Sequence, residues 1–358
     1  MFGRMMNNYY YGKSGKGDFR KEDLPQNRRQ LFRDTLKTRL SALCRINLLY
    51  MLIFLPAMLV IMFSFTNILS TTSNLMMVEQ NDYAGFVEQV TQNEQEVTIT
   101  EEQFNELKNA DVNLGDMLDS TVFRMLLLLI PCIAITGPFT AGLSYITRNW
   151  ARDEHAFIWT DFKDAVKANW KQSLVLSLIT SVLPIAAYVG WRFYGQLAQN
   201  NMIMMVPQVL VVLVGIIWSI SITYMHPLVV TYELKTKDVI RNGLLLGVAR
   251  LPMSVAIRLL HCVPALIGGL LIWFWNPMIG MLILFAYYAL IGFSISRFIT
   301  ASYTNAVFDK YINPRIEGAK VNQGIYKPED DEDEEDEAAE GETDNLSCTR
   351  DLQNYMMN

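Results

Sequence analysis

The sequence predicts an all-α polytopic integral membrane protein with six transmembrane helices and both termini in the cytoplasm, built around a candidate parallel internal repeat. Two observations carry the fold. The 358-residue chain holds six apolar runs, Ile46–Leu69, Phe123–Thr147, Ser173–Trp191, Met204–Val229, Met253–Trp273 and Pro277–Ile299. Each reaches the roughly 20 apolar residues that a helix needs to cross a hydrocarbon core about 30 Å thick. Only helices or closed barrels satisfy every backbone group in lipid, and unbroken runs of this length select helices. The second observation is that positive charge falls on one side of these runs. Residues 1–45 hold 11 Lys and Arg, 148–172 hold 5, 233–252 hold 4, and the chain from Arg297 onward holds 6, which is 26 of 30. With a cytoplasmic N-terminus all 26 lie inside, as the positive-inside rule requires.

The net charge of −6 hides this basic face. Twelve of the 36 acids lie between Glu329 and Asp344, and 11 more lie in Ser70–Ser120 against the single Lys108. The basic remainder suits a cytoplasmic membrane surface, where anionic lipids attract Lys and Arg, and this explains the N-terminus better than nucleic-acid binding does. Cys44, Cys132, Cys262 and Cys348 all fall in spans or on the inner side, so neither a disulfide framework nor a zinc site is predicted. The first apolar run starts too far in and is too long to read as a cleaved signal peptide.

In chain order, residues 1–27 read as a disordered cytoplasmic N-terminus. Residues 28–45 read as an amphipathic interfacial helix, with Leu31, Leu36, Leu40, Leu43 and Cys44 on one face and Arg29, Arg33, Lys37 and Arg45 on a basic one. Residues 46–69 form the first transmembrane helix. Residues 70–120 form an acidic extracytoplasmic insert, in which Thr100-Glu101-Glu102-Gln103 fits a capping box opening a short helix. About 50 residues with few aromatics cannot build much of a core. Residues 121–303 form a five-helix membrane domain, and 304–358 an acidic disordered cytoplasmic tail.

The two inner loops resemble each other. Lys163-Asp164-Ala165-Val166-Lys167-Ala168-Asn169 aligns with Lys237-Asp238-Val239-Ile240-Arg241-Asn242. In the first, Ile158, Phe162, Val166 and Trp170 recur every four residues, with Trp159, Lys163, Lys167 and Lys171 one position later. This places an apolar stripe beside an aromatic and basic one, as a membrane-surface helix requires, and Lys163, Lys167 and Lys171 are the candidate contacts to anionic lipid. The pattern suggests a repeated unit of span, surface helix and span, of a kind found in transporters. A chance match between two basic amphipathic loops explains it equally well.

Thr136, Gly137, Pro138, Thr140 and Gly142 form the most distinctive motif, inside the second span. Pro138 removes a helical hydrogen bond that Thr136 and Thr140 are placed to compensate. Gly137, Pro138, Ala141 and Gly142 let a neighbouring helix approach closely. One reading is a kinked, partly unwound helix lining a polar site. The other, simpler reading is a kink and packing seam without a ligand.

The run Leu129–Leu143, with IPCIAITGPFTAGL, then RNWARDE, then DFKDAVKANWKQSL, resembles the YesL-like family of bacterial integral membrane proteins. Their pattern is an apolar LPxxTIGPxxxAL run, a short charged stretch and an NxKQ-like lead into the next span. The resemblance covers roughly residues 120–310, plus RINLLYMLIFLP in the first span. The outer insert, the long basic N-terminus and the acidic tail depart from it. The resemblance implies a setting in Gram-positive bacteria beside carbohydrate-uptake and sensor genes. It supplies no catalytic residue, because the family's activity is not established.

Ionisable residues inside spans are costly and often functional. None of the six spans contains Asp or Glu, which weighs against proton- or sodium-coupled carriers. Arg258 and His261 share one face of the fifth span and suit an anionic group or a lipid phosphate. Alternatively, Arg258 snorkels to the inner interface and His261 bonds a backbone carbonyl. No metal, cofactor or nucleophile motif is recognisable. The expectation is a non-enzymatic accessory or regulatory protein of the cytoplasmic membrane, tied to carbohydrate uptake or its sensing through a permease or sensor complex. The alternatives are a carrier or channel for a small uncharged or anionic solute and, more weakly, a membrane enzyme acting on lipid or glycan.

Overall fold

The computed structural model describes residues 24–93, 99–109 and 114–326. The expected disordered N-terminus up to residue 23, the acidic run beyond residue 326 and Cys348 lie outside the described residues. The described chain is all-helical, and six of its helical stretches are long and apolar enough to cross a membrane. Their flanks expose large apolar side chains such as Leu213, Val214, Leu266, Ile267 and Leu270, surface that a water-soluble chain would hide.

Helix α1, Arg28–Glu79, is a single element of 52 residues. The expected interfacial helix and the first span are therefore continuous. No Gly or Pro occurs between Arg28 and Leu55, so nothing stops propagation once the apolar part has formed. Its buried line runs through Leu31, Thr35, Leu43, Ile46, Asn47 and Tyr50, whereas Leu40 is exposed. Helices α2, Tyr83–Asn93, and α3, Glu101–Asn109, form the insert. The capping box closes as expected: the Thr100 N–H donates to Gln103 Oε1 at 3.0 Å, and the Gln103 N–H to Thr100 Oγ1 at 3.3 Å. The insert's core is small, comprising Val78, Phe86 and Phe104 with Met77, Tyr83, Val90 and Ile99 against them.

Helix α4, Leu114–Trp150, keeps its helical course past Pro131 and Pro138. Helix α5, Thr160–Ala198, fuses the first inner-loop helix with the third span. Helix α6, Met205–Thr231, follows a 3-10 turn. The second inner loop behaves differently. Helix α7, Thr236–Ala249, stops at Arg250 (φ −114°, ψ 30°), and α8, Leu251–Phe274, starts with Pro252 in its first turn. Proline is favourable in a first turn and disruptive in a helix interior, so the look-alike loops end differently because only the second has one there. The last span is composite: α9, Pro277–Tyr287, a π-helical turn, Tyr288–Gly292, and α10, Phe293–Tyr311. A disordered tail from residue 304 does not describe this chain, because α10 runs to Tyr311 and ordered turns continue to residue 326.

Two compact units divide the described residues. The first comprises 24–40, 149–155 and 305–326. At its centre the buried Asp309 carboxylate accepts hydrogen bonds from Arg28 Nη2 at 2.5 Å, Asn313 Nδ2 at 2.5 Å and the Asn322 N–H at 3.2 Å. Arg28 also donates to Asn322 Oδ1 at 2.7 Å. Arg152 pairs with Glu154 at 3.1 Å and donates to Gln323 Oε1 at 2.8 Å. Gly324, at φ +81°, lies against the Arg152 carbonyl, where a β-carbon would come within 2.7 Å of the oxygen. The Arg39 guanidinium lies 6.0 Å from the ring centre of the buried Trp150. The second unit contains the rest of the helical bundle.

Candidate functional site

The polar interior of the second unit holds the candidate site. It is assembled from α1, α6, α8 and the broken last span around a cavity of about 260 Å³. Arg258, His261 and Arg297 line it together with Tyr50, Tyr287, Tyr288, Thr223 and Thr300. No Asp or Glu is among its lining residues.

Arg258 turns toward α6, where its Nη2 donates to the Ser219 carbonyl and to Thr223 Oγ1, the latter at 3.1 Å. It therefore braces a neighbouring helix from inside the bundle. His261 Nε2 lies 3.0 Å from the Ser296 carbonyl on α10 and 3.4 Å from Thr300 Oγ1. A carbonyl only accepts, so this nitrogen carries the proton. Arg297, which charge counting places among the cytoplasmic residues, lines the same cavity. The signal that marks it is its position two residues inside the end of the apolar run Pro277–Ile299.

Asn47 holds the π-helical turn beside the cavity. Its Nδ2 donates to the carbonyls of Tyr288 at 2.8 Å and Ala289 at 2.7 Å, and its Oδ1 accepts from the Ser294 N–H at 2.9 Å. A π turn disturbs the regular i to i−4 ladder, and one fully buried amide supplies both the donors and the acceptor that this stretch needs. Asn47 and Tyr50 went unmarked in the sequence because one amide and one phenol in an apolar run look unremarkable until their partners are known.

Tyr50 joins the cavity to the Gly137-Pro138 motif. Its hydroxyl lies 2.7 Å from Thr140 Oγ1, and Thr140 donates to the Thr136 carbonyl at 2.9 Å. Thr140 has a single proton, already given to Thr136, so Tyr50 is the donor. Thr136 donates to the Ile133 carbonyl at 2.8 Å. The two threonines therefore bond helix carbonyls, but not the Ala134 carbonyl that Pro138 leaves without its usual donor. The motif is also a tight seam. A β-carbon on Gly137 would sit 2.3 Å from the Ser173 carbonyl oxygen of α5, and one on Gly142 2.7 Å from Val166 and 2.9 Å from Phe162. Instead of an unwound segment, the motif is helical and presents its small residues to α5. A second hydroxyl network joins α6, α8 and α10: the Tyr224 hydroxyl is 2.6 Å from Ser254 Oγ and 2.9 Å from the Tyr303 hydroxyl.

Lys163, Lys167 and Lys171 are all exposed on α5, beside the exposed Trp159 and Trp170. The Lys171 ammonium lies 5.6 Å from the Trp170 ring centre. The apolar stripe differs from its sequence assignment: Phe162, Ala165, Ser173 and Leu176 are buried, and Trp170 is 48% exposed. A strict four-residue spacing drifts by about 40° per step on a 3.6-residue helix, so Trp170 has rotated off the face that Phe162 occupies. A wider, open groove of about 860 Å³ lies between this part of α5 and residues 229–234, where Gln172 Nε2 donates to the Leu234 carbonyl at 2.6 Å.

Among the described residues, six long apolar helices with lipid-compatible outer faces and a bonded polar interior define a multi-pass α-helical membrane protein. Residues 118–191 match the family described as "Protein of unknown function, DUF624". The chain is 25% identical over 163 residues to the uncharacterized protein YesV of Bacillus subtilis (strain 168), covering 44% of this chain and 76% of that protein. The matched segment includes the Gly137-Pro138 motif and the Lys163–Lys171 stripe and supports the YesL-like resemblance read from the sequence. Arg258, His261 and Arg297 lie outside residues 118–191. No solved structure matches the chain.

Proposed function

We propose that this protein is a non-enzymatic accessory or regulatory subunit of the bacterial cell membrane, with both termini cytoplasmic, serving carbohydrate uptake or its sensing through a permease or sensor complex. The observation that carries this reading is the folded unit made by 24–40, 149–155 and 305–326. A segment that follows the last span would need no internal order if it were only a solvated end. Here the buried Asp309, Arg28 and Asn322 hold it in one arrangement, which suits a surface preorganised for a partner. The charged run beyond residue 326 then adds electrostatic attraction to basic partner loops.

The test is co-purification in mild detergent followed by mass spectrometry. A permease or sensor subunit should be recovered in stoichiometric amount with the full chain. Asp309→Ala should reduce that recovery while leaving the membrane helices folded, and deletion from Pro328 onward should reduce it most at low salt, where charge contacts are least screened. Unchanged recovery with both variants would remove the accessory reading.

A second reading, a carrier or channel for a small anionic or uncharged solute, draws support from the cavity at Arg258 and His261. It also draws on the likeness of two helix pairs. The start of α5 packs on α4 through Gly142, and α7 packs on α6 through Gly243 and Gly247, in keeping with a parallel repeat. Solute flux catalysed by the purified chain alone in vesicles would favour this reading over the first.

A further inference from the structure

We propose that the cavity bounded by Arg258, His261 and Arg297 is a binding site for a phosphate-class oxyanion, either free or as the headgroup of a lipid. Two guanidinium groups, which stay protonated in proteins, line one cavity in the bundle. Arg258 spends its Nη2 on the Ser219 carbonyl and Thr223, and its buried Nε has no partner among the described residues. Arg297 forms no ion pair among the described residues. A cationic side chain at membrane depth is costly unless something neutralises it, and no carboxylate lines the cavity. The missing counter-charge fits a ligand.

Size and lining narrow the class. The cavity, about 260 Å³, is far larger than the ~30 Å³ that one water occupies in the liquid. Guanidinium forks match oxyanions bidentately, which a halide does not exploit. The Arg297 fork and the three N–H groups that Arg258 has left, with the hydroxyls of Thr223, Tyr287 and Tyr288, offer more donors than the two oxygens of a carboxylate take, and phosphate has oxygens for them. Phe54, Pro264 and Phe293 supply an apolar wall that accommodates a short neutral body attached to the phosphate. His261, fixed by Ser296 and Thr300, sets the spacing between α8 and α10 and hence the distance between the two arginines.

The experiment uses the full chain in phosphatidylcholine nanodiscs. In the first arm inorganic phosphate is titrated against chloride at matched ionic strength, and the thermal midpoint is followed. Free-anion binding predicts a saturable rise with phosphate only. In the second arm native mass spectrometry follows phosphatidylglycerol retained through washing with zwitterionic lipid. A headgroup site predicts retention in the unmodified protein. Whichever arm responds, Arg297→Gln should weaken the response about tenfold or more, the scale for losing one charged hydrogen-bond donor. Arg297→Lys should recover part of it. Arg258→Gln should act similarly, and if that chain fails to fold because α6 loses its brace, Arg297→Gln decides alone. Silence in both arms, or a response equal in Arg297→Gln and the unmodified chain, overturns the proposal.

Discussion

At the scale of single residues, Gly137 and Asn47 show how much the bundle depends on a few atoms at close contacts. Gly137 faces backbone, which cannot move aside as a flexible side chain would. Gly137→Leu should therefore cost more than the 1–3 kcal/mol typical of overpacking and lower the yield of folded protein. Gly215 has open space where a β-carbon would be, so Gly215→Ala should be neutral or stabilising by up to about 1 kcal/mol through helix propensity. Thermal unfolding in detergent separates the two, and equal midpoints would refute the seam. Asn47→Leu keeps the size but deletes three hydrogen bonds to the broken last span. Each buried group left unsatisfied costs about 1–3 kcal/mol, so amide exchange should rise across residues 288–294. Protection there that matches the unmodified chain would count against Asn47 as the support of the π turn. Glycine spacing made the Gly137 seam visible in sequence; Asn47 stayed hidden because its partners are some 240 residues away.

At the scale of elements, periodicity identified the helices and local breakers decided their ends. The continuity of α1 and α5 from surface part into span follows from the absence of Gly and Pro across those junctions, and the division of α7 from α8 follows from Pro252. The basic edge of α5 is the element whose outward role is most open to measurement. Lys163, Lys167 and Lys171 are exposed and ordered along one helix, flanked by two exposed tryptophans. Replacing all three by Gln should weaken association with anionic lipid by about 1 kcal/mol per charge near the surface. Lipid selectivity measured in mixed phosphatidylcholine and phosphatidylglycerol nanodiscs would show it, and an unaltered preference would refute a lipid role for this stripe. The broken last span is the element that composition alone could not reveal, since a π turn is a response to neighbours rather than a propensity of Tyr288–Gly292.

At the scale of the whole molecule, the distribution of Lys and Arg makes a definite statement about orientation. Reporter fusions should place residue 95 outside and residue 330 inside. A cytoplasmic residue 95 would invert the topology and with it the proposed partner-facing role of residues 305–326. The segment after the last span also shows where charge composition misleads. Its acidity suggests a solvated tail throughout, yet residues 304–326 are ordered, because Asp309 is buried and bonded to Arg28, Asn313 and Asn322. An acid in a sequence reads as solvent-seeking until its counter-charge is known, and here that partner is 281 residues away.

The sequence by itself determined that the described residues are all-helical with six lengths of helix fit for a membrane, because length and apolarity are local properties that the bilayer reads directly. It also determined the capping box, since that motif closes within four residues, and the close helix approach at Gly137, since small side chains permit nothing bulkier. Tertiary structure alone decided which polar residues meet. Arg258 and His261 could be paired on one face by helical spacing. Only packing, which sets contacts between distant segments without leaving a local pattern, brought Arg297 to the same cavity and linked Tyr50 on its wall to Thr140.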